Sequence, residues 1–508
     1  MKHLFIAIIV GLVFVGCTST QTIRTTQVDD GKITLKFVQV NDVYEIAPLS
    51  GGKYGGMARV AHIRDSIKKE NPNTYLFMAG DFLNPSLVGT LKIDGERVRG
   101  RQMIEVMNAM DFDLVAFGNH EFDIGDTALQ QRLDESNFTW ISTNTFHKKN
   151  GEAVPFTSKG KEVAFSYVFD AVDSDGTQIK MGFISSTIPS NPQDFVFYGD
   201  IYDYPIQAYE GIKDATDFVI GLTHLKVSQD QELSNRLPAI PFIMGGHEHN
   251  NMMVETPTAK IAKADANAKT LYVHTLEYDT NTKRMVIDSQ LVPIDEGVSS
   301  NPRIAAIVAK WNAVLETKIK EVIAQPDEII YDANPPLDGT DSASRGIQTN
   351  LGEIITSAMA ASFNSPTEAA LVNGGSIRID DFLAGEVTAI DIFRVLPFGG
   401  EVVKVDLKGS LLKEVLDFGK SKGGTGAYLQ RFNFQQNEQG AWLIGGKLID
   451  PSSTYQVAFS DFLLKGYDIP FLTPENQGVL KVYKPTSYEL ASDIRKAVII
   501  YLKNKYND

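Results

Sequence analysis

The chain has 508 residues, of which 43% are hydrophobic and 22% charged, and its formal net charge is −15. This composition is typical of a globular protein with more than one domain. The negative charge argues against a protein that grips a nucleic-acid polymer, because no net positive field attracts the phosphates. It is compatible with a small phosphorylated substrate bound by a few local cations.

The N-terminus has the pattern of an export signal. A basic start at Met1-Lys2-His3 precedes an apolar run over Leu4–Val15, which is short for a membrane span and has the length of a signal-peptide core. The run ends at Gly16, followed by the only cysteine, Cys17. A small residue before this cysteine resembles a bacterial lipoprotein signal, in which the cysteine is acylated.

We therefore predict a lipoprotein signal peptide at 1–17, lipidation of Cys17 and a polar tether at 18–32. The protein would be extracytoplasmic and anchored by lipid to a bacterial membrane, either in the periplasm or at the cell surface. A plain secretory signal is the alternative interpretation. With one cysteine, the chain can form no intrachain disulfide.

Strand and helix signals alternate over residues 33–300 and predict an α/β domain with helices packed on a sheet. The predicted strands are Ile33–Val40, Thr74–Ala79, Asp113–Phe117, Ile179–Ser185, Asp217–Gly221 and Pro241–Met244. The predicted helices are Gly56–Lys69, Gln102–Met110 and Ile206–Ala215.

Polar clusters follow five of these strands, at the strand ends where α/β sheets bind ligands. Their carboxylate, amide and imidazole groups suit a site in which two metal ions act on a phosphoryl group. Two neighbouring cations repel each other and need a bridging ligand, for which the carboxylate of Asp81 is the natural candidate. The candidate ligands are Asp42, Asp81, Asn119, His224, His247 and His249.

His120 directly follows one candidate ligand and would face the same cleft. Asp123 could hold its imidazole in one tautomer or favour the protonated form. We predict that this pair is catalytic, with His120 stabilising the phosphoryl transition state or protonating the leaving alkoxide.

A long amphipathic helix is predicted over Asn301–Ala324, and it forms a linker over residues 301–326. A second domain follows over residues 327–508. Its predicted strands are Ala369–Val372, Glu401–Leu407, Thr454–Phe459 and Gly478–Val482. Its predicted helices are Gly352–Phe363, Ser410–Phe418 and Glu489–Asn504.

Short motifs occur in both domains. In the first domain they are Asn41-Asp42, Gly80-Asp81, Gly118–Glu121, Thr223-His224 and Gly245–His249. In the second domain they are Ser344-Arg345, Asn373–Arg378, Leu396–Gly399, and Asp461-Phe462 with Asp468. The first set resembles the motifs of the calcineurin-like metallophosphoesterases, and the chain as a whole resembles the bacterial 5′-nucleotidases. The resemblance implies an N-terminal metallophosphatase β-sandwich with flanking helices, joined by a helix to a C-terminal α/β nucleotide-binding domain.

The resemblance also implies residue roles. One metal would be held by Asp42, Asp81 and His249, and the other by Asp81, Asn119, His224 and His247. Phe398 and Phe462 would sandwich a base, Asp468 would bind the ribose hydroxyls, Arg345 and Arg378 would hold phosphate, and Asn373 would contact the substrate. The cofactors would be two divalent ions, namely zinc, manganese, magnesium or calcium.

Two positions depart from the family pattern. Tyr44 stands where the first motif usually has a histidine, so that one metal loses an expected ligand. Tyr44 could ligate as a phenolate, which would favour iron, or leave a weaker site. Tyr467 stands where the sugar-pocket motif usually has glycine, and it would crowd or extend that pocket.

The predicted function is metal-dependent hydrolysis of nucleotide phosphate esters, in which a metal-bound hydroxide attacks phosphorus. A 2′,3′-cyclic nucleotide phosphodiesterase or nucleotide-sugar hydrolase is one alternative, and a non-catalytic nucleotide-binding surface lipoprotein is another. The predicted partners are a nucleotide substrate and, through the lipid anchor, a membrane. We predict neither a nucleic-acid polymer nor an obligate protein partner.

Overall fold

The structure, a computed structural model, describes residues 29–190 and 192–507. The predicted signal peptide, the lipidation site Cys17 and most of the predicted tether lie outside these residues. Within the described ranges, no helix has both the length and the apolar character needed to cross a membrane.

Two six-stranded sheets face each other in the first domain and confirm the β-sandwich implied by the resemblance, whereas the strand pattern alone predicted one sheet. In spatial order, the first sheet contains Arg284–Pro293, Thr270–Asp279, Lys32–Val40, Thr74–Ala79, Leu114–Ala116 and Thr139–Ile141. The second contains Tyr167–Val172, Gln178–Thr187, Phe218–His224, Phe242–Gly245, Lys260–Lys263 and Met252–Glu255.

Both faces of the central strands are buried, which explains why they read as apolar runs. Phe37 points into the core between the two sheets, and its neighbour Val38 points to the outer face of the first sheet. Helices cover the outer faces of the sandwich. They are Met57–Glu70, Arg101–Met110 and Asp126–Glu135 on the first sheet, and Asp203–Ile212 and Val227–Arg236 on the second.

The linker helix spans Pro302–Lys320 and ends four residues before the predicted end at Ala324. The Asn301 side chain caps it by accepting from the amides of Arg303 and Ile304. The buried stripe of this helix packs on helices Met57–Glu70 and Arg101–Met110 of the first domain.

A five-stranded mixed sheet forms the centre of the second domain. In spatial order it contains Leu429–Phe432, Ala369–Asn373, Thr454–Ser460, Val402–Lys408 and Val479–Tyr483. The sheet is accompanied by a long antiparallel pair, Ile329–Asp338 with Phe382–Thr388. The main helices are Asn350–Ala361, Ala389–Val395, Gly409–Ser421 and Ile494–Asn507.

The last helix begins later than the predicted start at Glu489. Residues Leu490–Ser492 form a short 3-10 turn, and the helix starts at Ile494. The Glu489 carboxylate accepts from the amide of Thr486, so that this side chain stabilises the preceding loop.

Candidate metal centre at the domain interface

Five strands of the first domain end at one edge of the sandwich and deliver the candidate ligands there. Asp42 and Asp81 follow the strands that end at Val40 and Ala79, with φ angles of 53° and 58°. These left-handed conformations are uncommon for residues with side chains and often mark functional sites. Both carboxylates are almost fully buried.

Asp42, Asp81 and His224 form a compact group in which one donor atom of each lies within 4.8 Å of the others. Nε2 of His224 lies 3.0 Å from Oδ2 of Asp81 and 3.9 Å from Oδ1 of Asp42. Burial lowers the pKa of His224, but Asp81 and Asp42 outweigh it and raise the pKa to about 9. This much negative charge around one imidazole suits a bound cation, which displaces the proton when it binds.

Three buried atoms that can coordinate a metal make no hydrogen bond in the described part of the chain: Oδ1 of Asp42, Oδ1 of Asn119, and Nε2 of His224, which has only the ion-pair contacts with Asp81 and Asp42. Nδ1 of His224 lies 2.8 Å from the Ala79 carbonyl and donates to it, so in the neutral form of the ring the lone pair is on Nε2. An unsatisfied buried polar group costs about 1–3 kcal/mol. Bound cations would satisfy all three donors, and the residues present therefore fit a metal centre.

His247 and His249 approach from the loop after strand Phe242–Gly245. The His247 amide donates to Oδ2 of Asp42 at 3.0 Å, and its ring lies 5.4 Å from that of His224. Burial and the neighbouring His224 lower the pKa of His247 to about 4, which keeps it in the neutral form that ligates metals. Nε2 of His249 lies 3.5 Å from Oδ1 of Asp42.

Tyr44 lies beside this group and is almost fully buried. Its hydroxyl lies 3.0 Å from Nε2 of His249. Burial and the charge of Asp81 raise the pKa of Tyr44 well above its usual value, which favours the phenol over the phenolate. The tyrosine is therefore close enough to interact with the centre, as a neutral group.

Glu121 organises two of the ligand loops. Its buried carboxylate accepts four backbone N–H groups, from Asp81, Phe82, Leu83 and Gly118, at 2.6–3.0 Å. The sequence presents Glu121 only as part of a motif, and the structure gives it this supporting role.

Glycines allow the loops to approach each other closely. A Cβ on Gly118 would lie 2.1 Å from Oδ1 of Asp81, and one on Gly246 would lie 2.3 Å from the Ala79 carbonyl. Both contacts are too short for any side chain to be accepted without rearrangement.

Lys263 stabilises the two loops that carry His224 and His247. The sequence patterns do not predict this role. It is fully buried and donates to the carbonyls of Leu225 and Gly246, which are neighbours of His224 and His247. It also forms ion pairs with Asp230 at 2.8 Å and with Glu248.

His120 and Asp123 form the predicted pair, with Nδ1 2.8 Å from Oδ2. Burial would lower the pKa of His120, but Asp81, Asp123 and Asp380 raise it well above its usual value. Burial would likewise raise the pKa of Asp123, but His120 and Arg378 lower it to about 2. The pair is thus arranged as an imidazolium held by a carboxylate.

Two acidic residues of the second domain reach this centre, and the sequence patterns do not predict them. Oδ2 of Asp380 lies 3.5 Å from Nε2 of His249 and 3.7 Å from Nε2 of His120. Oδ2 of Asp341 lies 3.9 Å from Nε2 of His120 and 2.8 Å from Nη2 of Arg345. The only sequence signal was the Asp380-Asp381 pair that follows the Arg378 motif.

A cavity of about 530 Å³ lies at this junction of the domains. Its lining combines histidines of the centre, cationic side chains and the two acidic residues of the second domain. Among these lining residues are His120, His247, His249, Lys226, Arg345, Asp341 and Asp380. Arg378 is the other predicted phosphate-binding residue, and its Nη2 lies 3.2 Å from Oδ2 of Asp123.

A second cavity of about 480 Å³ lies in the second domain and includes Phe398 and Phe462 in its lining. Both rings are well exposed, at 52% and 37%, as base-stacking surfaces must be. The Asn373 amide also lines this cavity and donates to Asp468 at 2.7 Å, which brings these predicted substrate residues together.

Two further side chains lie close to the aromatic rings of this second cavity. The Arg97 guanidinium of the first domain lies 5.7 Å from the centre of the Phe398 ring, so both domains contribute to the lining. The Tyr467 ring lies 5.5 Å from that of Phe462 and is 72% exposed, so it extends the aromatic surface rather than filling the cavity.

Two family models match the chain. One, described as calcineurin-like phosphoesterase, matches residues 35–251, and the other, described as 5′-nucleotidase, C-terminal domain, matches residues 329–473. The first range contains all six candidate metal ligands, and the second contains all six predicted nucleotide-binding residues.

Similar curated proteins include the trifunctional nucleotide phosphoesterase protein YfkN of Bacillus subtilis and the 5′-nucleotidase of Bos taurus. The first is 27% identical over 80% of this chain, which spans 30% of that protein's length. The second is 27% identical over 74% of this chain and 68% of its own length.

A solved structure with a similar fold is that of a 5′-nucleotidase precursor from Thermus thermophilus. It covers 93% of this chain and 97% of its own, with a TM-score of 0.64 and 22% sequence identity. At this identity the likeness supports the two-domain fold alone.

Proposed function

Because the chain joins a calcineurin-like phosphoesterase domain to a 5′-nucleotidase C-terminal domain, we propose that it is a metal-dependent phosphohydrolase that releases phosphate from nucleotides. The observation that carries this proposal is a set of three buried metal-coordinating atoms, on Asp42, Asn119 and His224, which make no hydrogen bond within the described residues. They lie beside a cavity that the second domain lines with Arg345.

The metal ions would be held by the predicted set: Asp42, Asp81, Asn119, His224, His247 and His249. When bound, two divalent cations lower the pKa of water and neutralise the charge of a phosphoryl group. The oxygen and nitrogen donors suit zinc, manganese, magnesium or calcium. Iron is the alternative if Tyr44, whose hydroxyl lies 3.0 Å from Nε2 of His249, coordinates as a phenolate.

His120 would act on the reacting phosphoryl group. Its Nδ1 is occupied by Asp123, so Nε2 remains to face the cavity. A protonated Nε2 donates to a phosphoryl oxygen or passes its proton to the leaving alkoxide. Asp81, Asp123 and Asp380 together favour the protonated imidazole, and Asp123 orients it.

The second domain would hold the remainder of the nucleotide. Guanidinium groups match phosphate geometry, and this assigns phosphate contacts to Arg345 and Arg378. The base would stack on Phe398 and Phe462. Asp468, oriented by Asn373, would accept from the ribose hydroxyls.

The test measures phosphate release by the purified full chain, with zinc, manganese, magnesium or calcium added in turn. Nucleoside monophosphates, 2′,3′-cyclic nucleotides and nucleotide sugars form the substrate panel, which separates the proposed activity from the two enzymatic alternatives. The matched variants are His120→Ala at the centre and His62→Ala, an exposed histidine of helix Met57–Glu70.

We expect turnover of monophosphates that His120→Ala abolishes and His62→Ala preserves. Tight nucleotide binding without turnover in any metal would instead identify a non-catalytic binding protein.

The extracytoplasmic location and lipid anchor are part of the same proposal, supported by the sequence over residues 1–17. Labelled palmitate should enter the wild-type chain in a bacterial host and fail to enter Cys17→Ser. Labelling of both forms alike would contradict the anchor.

A further inference from the structure

Asp380 belongs to the second domain, yet its side chain lies against the metal centre of the first. Oδ2 of Asp380 is 3.5 Å from Nε2 of His249, and Oδ1 of Asp42 lies at the same distance from that nitrogen. Two carboxylates from different domains therefore face one imidazole nitrogen, as ligands around a shared cation do.

The Asp380 carboxylate is held in a defined position. Its Oδ1 accepts from the Asp341 amide at 2.7 Å, which leaves Oδ2 directed at the centre. The side chain is 16% exposed, and its backbone has a φ angle of 44°, a strained conformation for a residue with a side chain. This strain and burial set it apart from an ordinary surface acid.

The cation site that contains His249 also lacks one ligand that the family pattern predicts. Tyr44 stands where the family resemblance leads one to expect a histidine ligand, and its hydroxyl lies 3.0 Å from Nε2 of His249. Oδ1 of Asp42 is fully buried and finds no hydrogen-bond partner within residues 29–190 and 192–507. A cation at this point would thus have an unsatisfied donor on one side and Asp380 on the other.

We propose that Asp380 is a metal ligand supplied by the second domain, which completes the cation site of Asp42 and His249. The proposal rests on the proposed function insofar as that function places cations at this centre. It makes the affinity for one of the two ions depend on contact between the domains.

The neighbouring Asp381 provides a matched control. It differs by one position, carries the same charge and also lines the cavity, but its carboxylate is engaged by Lys269 at 2.5 Å. The variants to compare are Asp380→Asn and Asp381→Asn. Asparagine tolerates the left-handed conformation at position 380, so the first substitution should preserve the fold.

The experiment measures binding of Mn²⁺ to the metal-stripped full chain by calorimetry, with elemental analysis of the bound ion. We expect two ions in the wild type and in Asp381→Asn. In Asp380→Asn, one ion should bind at least tenfold more weakly while the other is unchanged. Asp380→Glu, which restores a carboxylate, should recover part of the lost affinity.

Other outcomes overturn the proposal. If the Asp380→Asn variant binds both ions as tightly as the wild type, Asp380 is not a ligand. If ion binding is weakened equally in Asp380→Asn and Asp381→Asn, the cause is a general charge effect. Equal thermal unfolding of the chelator-treated variants verifies the fold. Two bound ions without phosphate release in the wild type would refute the proposed function and leave this inference standing.

Discussion

Nη2 of Arg378 in the second domain lies 3.2 Å from Oδ2 of Asp123 in the first, the same oxygen that lies 2.8 Å from Nδ1 of His120. Arg378, which we propose binds phosphate, and His120, which we propose is catalytic, thus share one carboxylate. Contact between the domains therefore places the Arg378 guanidinium beside the Asp123 carboxylate, which orients His120.

Replacing His120 should remove the proton donor without removing the metal ligands. We expect His120→Ala to lower kcat by about 10²–10⁴-fold, the range for loss of general acid catalysis, with little change in KM. Asp123→Asn should have a smaller effect and shift the pH profile of kcat, because the imidazolium loses its counter-charge. Steady-state kinetics measures both, and an unchanged kcat in His120→Ala would contradict the assigned role.

Loss of Arg378 should weaken substrate binding. In Arg378→Ala the phosphate loses a charge-assisted contact worth about 1.5–3 kcal/mol, which predicts a rise in KM of roughly tenfold or more. Arg303→Ala removes a guanidinium that is 63% exposed on the linker helix, and it should leave KM unchanged. Similar KM values for all three proteins would argue against phosphate contact by Arg378.

Aromatic substitution tests the base pocket. Each stacked ring contributes about 1–3 kcal/mol to base binding, so Phe398→Ala and Phe462→Ala should each raise KM for nucleotides by about five- to hundredfold. Turnover of p-nitrophenyl phosphate, which lacks a base, should change little. Tyr488→Ala removes a ring that is 94% exposed and serves as the control, because it should leave KM for nucleotides unchanged.

Removing Lys263 should destabilise the chain. Lys263→Met leaves Asp230 and Glu248 near each other without their shared cation, and breaking a buried ion pair costs about 3–5 kcal/mol. Lys318→Met breaks an exposed pair with Glu321 and should cost less than about 1 kcal/mol. Urea unfolding in the presence of a chelator compares them, and equal losses would refute the supporting role.

His274 predicts a loss of stability in mild acid. Burial lowers its pKa from 6.5 to about 3. Between these pH values His274 is therefore protonated in the unfolded chain and neutral in the folded chain. This stability is complete above pH 6.5 and decreases as pH falls towards 3, by up to about 1.4 kcal/mol per pH unit. Unfolding free energies at pH 7 and 5 should differ more in the wild type than in His274→Gln; an equal difference would contradict the prediction.

The sequence predicts which first-domain side chains come together at the candidate metal centre, because each follows a strand whose apolar pattern is local. That they bind metal stays a prediction. The sequence does not predict Asp341 and Asp380, whose position near His120 depends on how two distant segments dock. For a similar reason, the sequence does not predict the role of Lys263. A single lysine in the strand Lys260–Lys263 is expected to be exposed, and its buried partners Asp230 and Glu248 come from other segments.

The carboxylate of Glu121 receives amides from both the Asp81 loop and Gly118, the residue before Asn119. It therefore fixes the distance between the loop of Asp81, the proposed bridging ligand, and Asn119, a proposed ligand of one ion. A shift of Glu121 would displace both loops, so a residue outside the proposed ligand set would control how far apart these two proposed ligands lie.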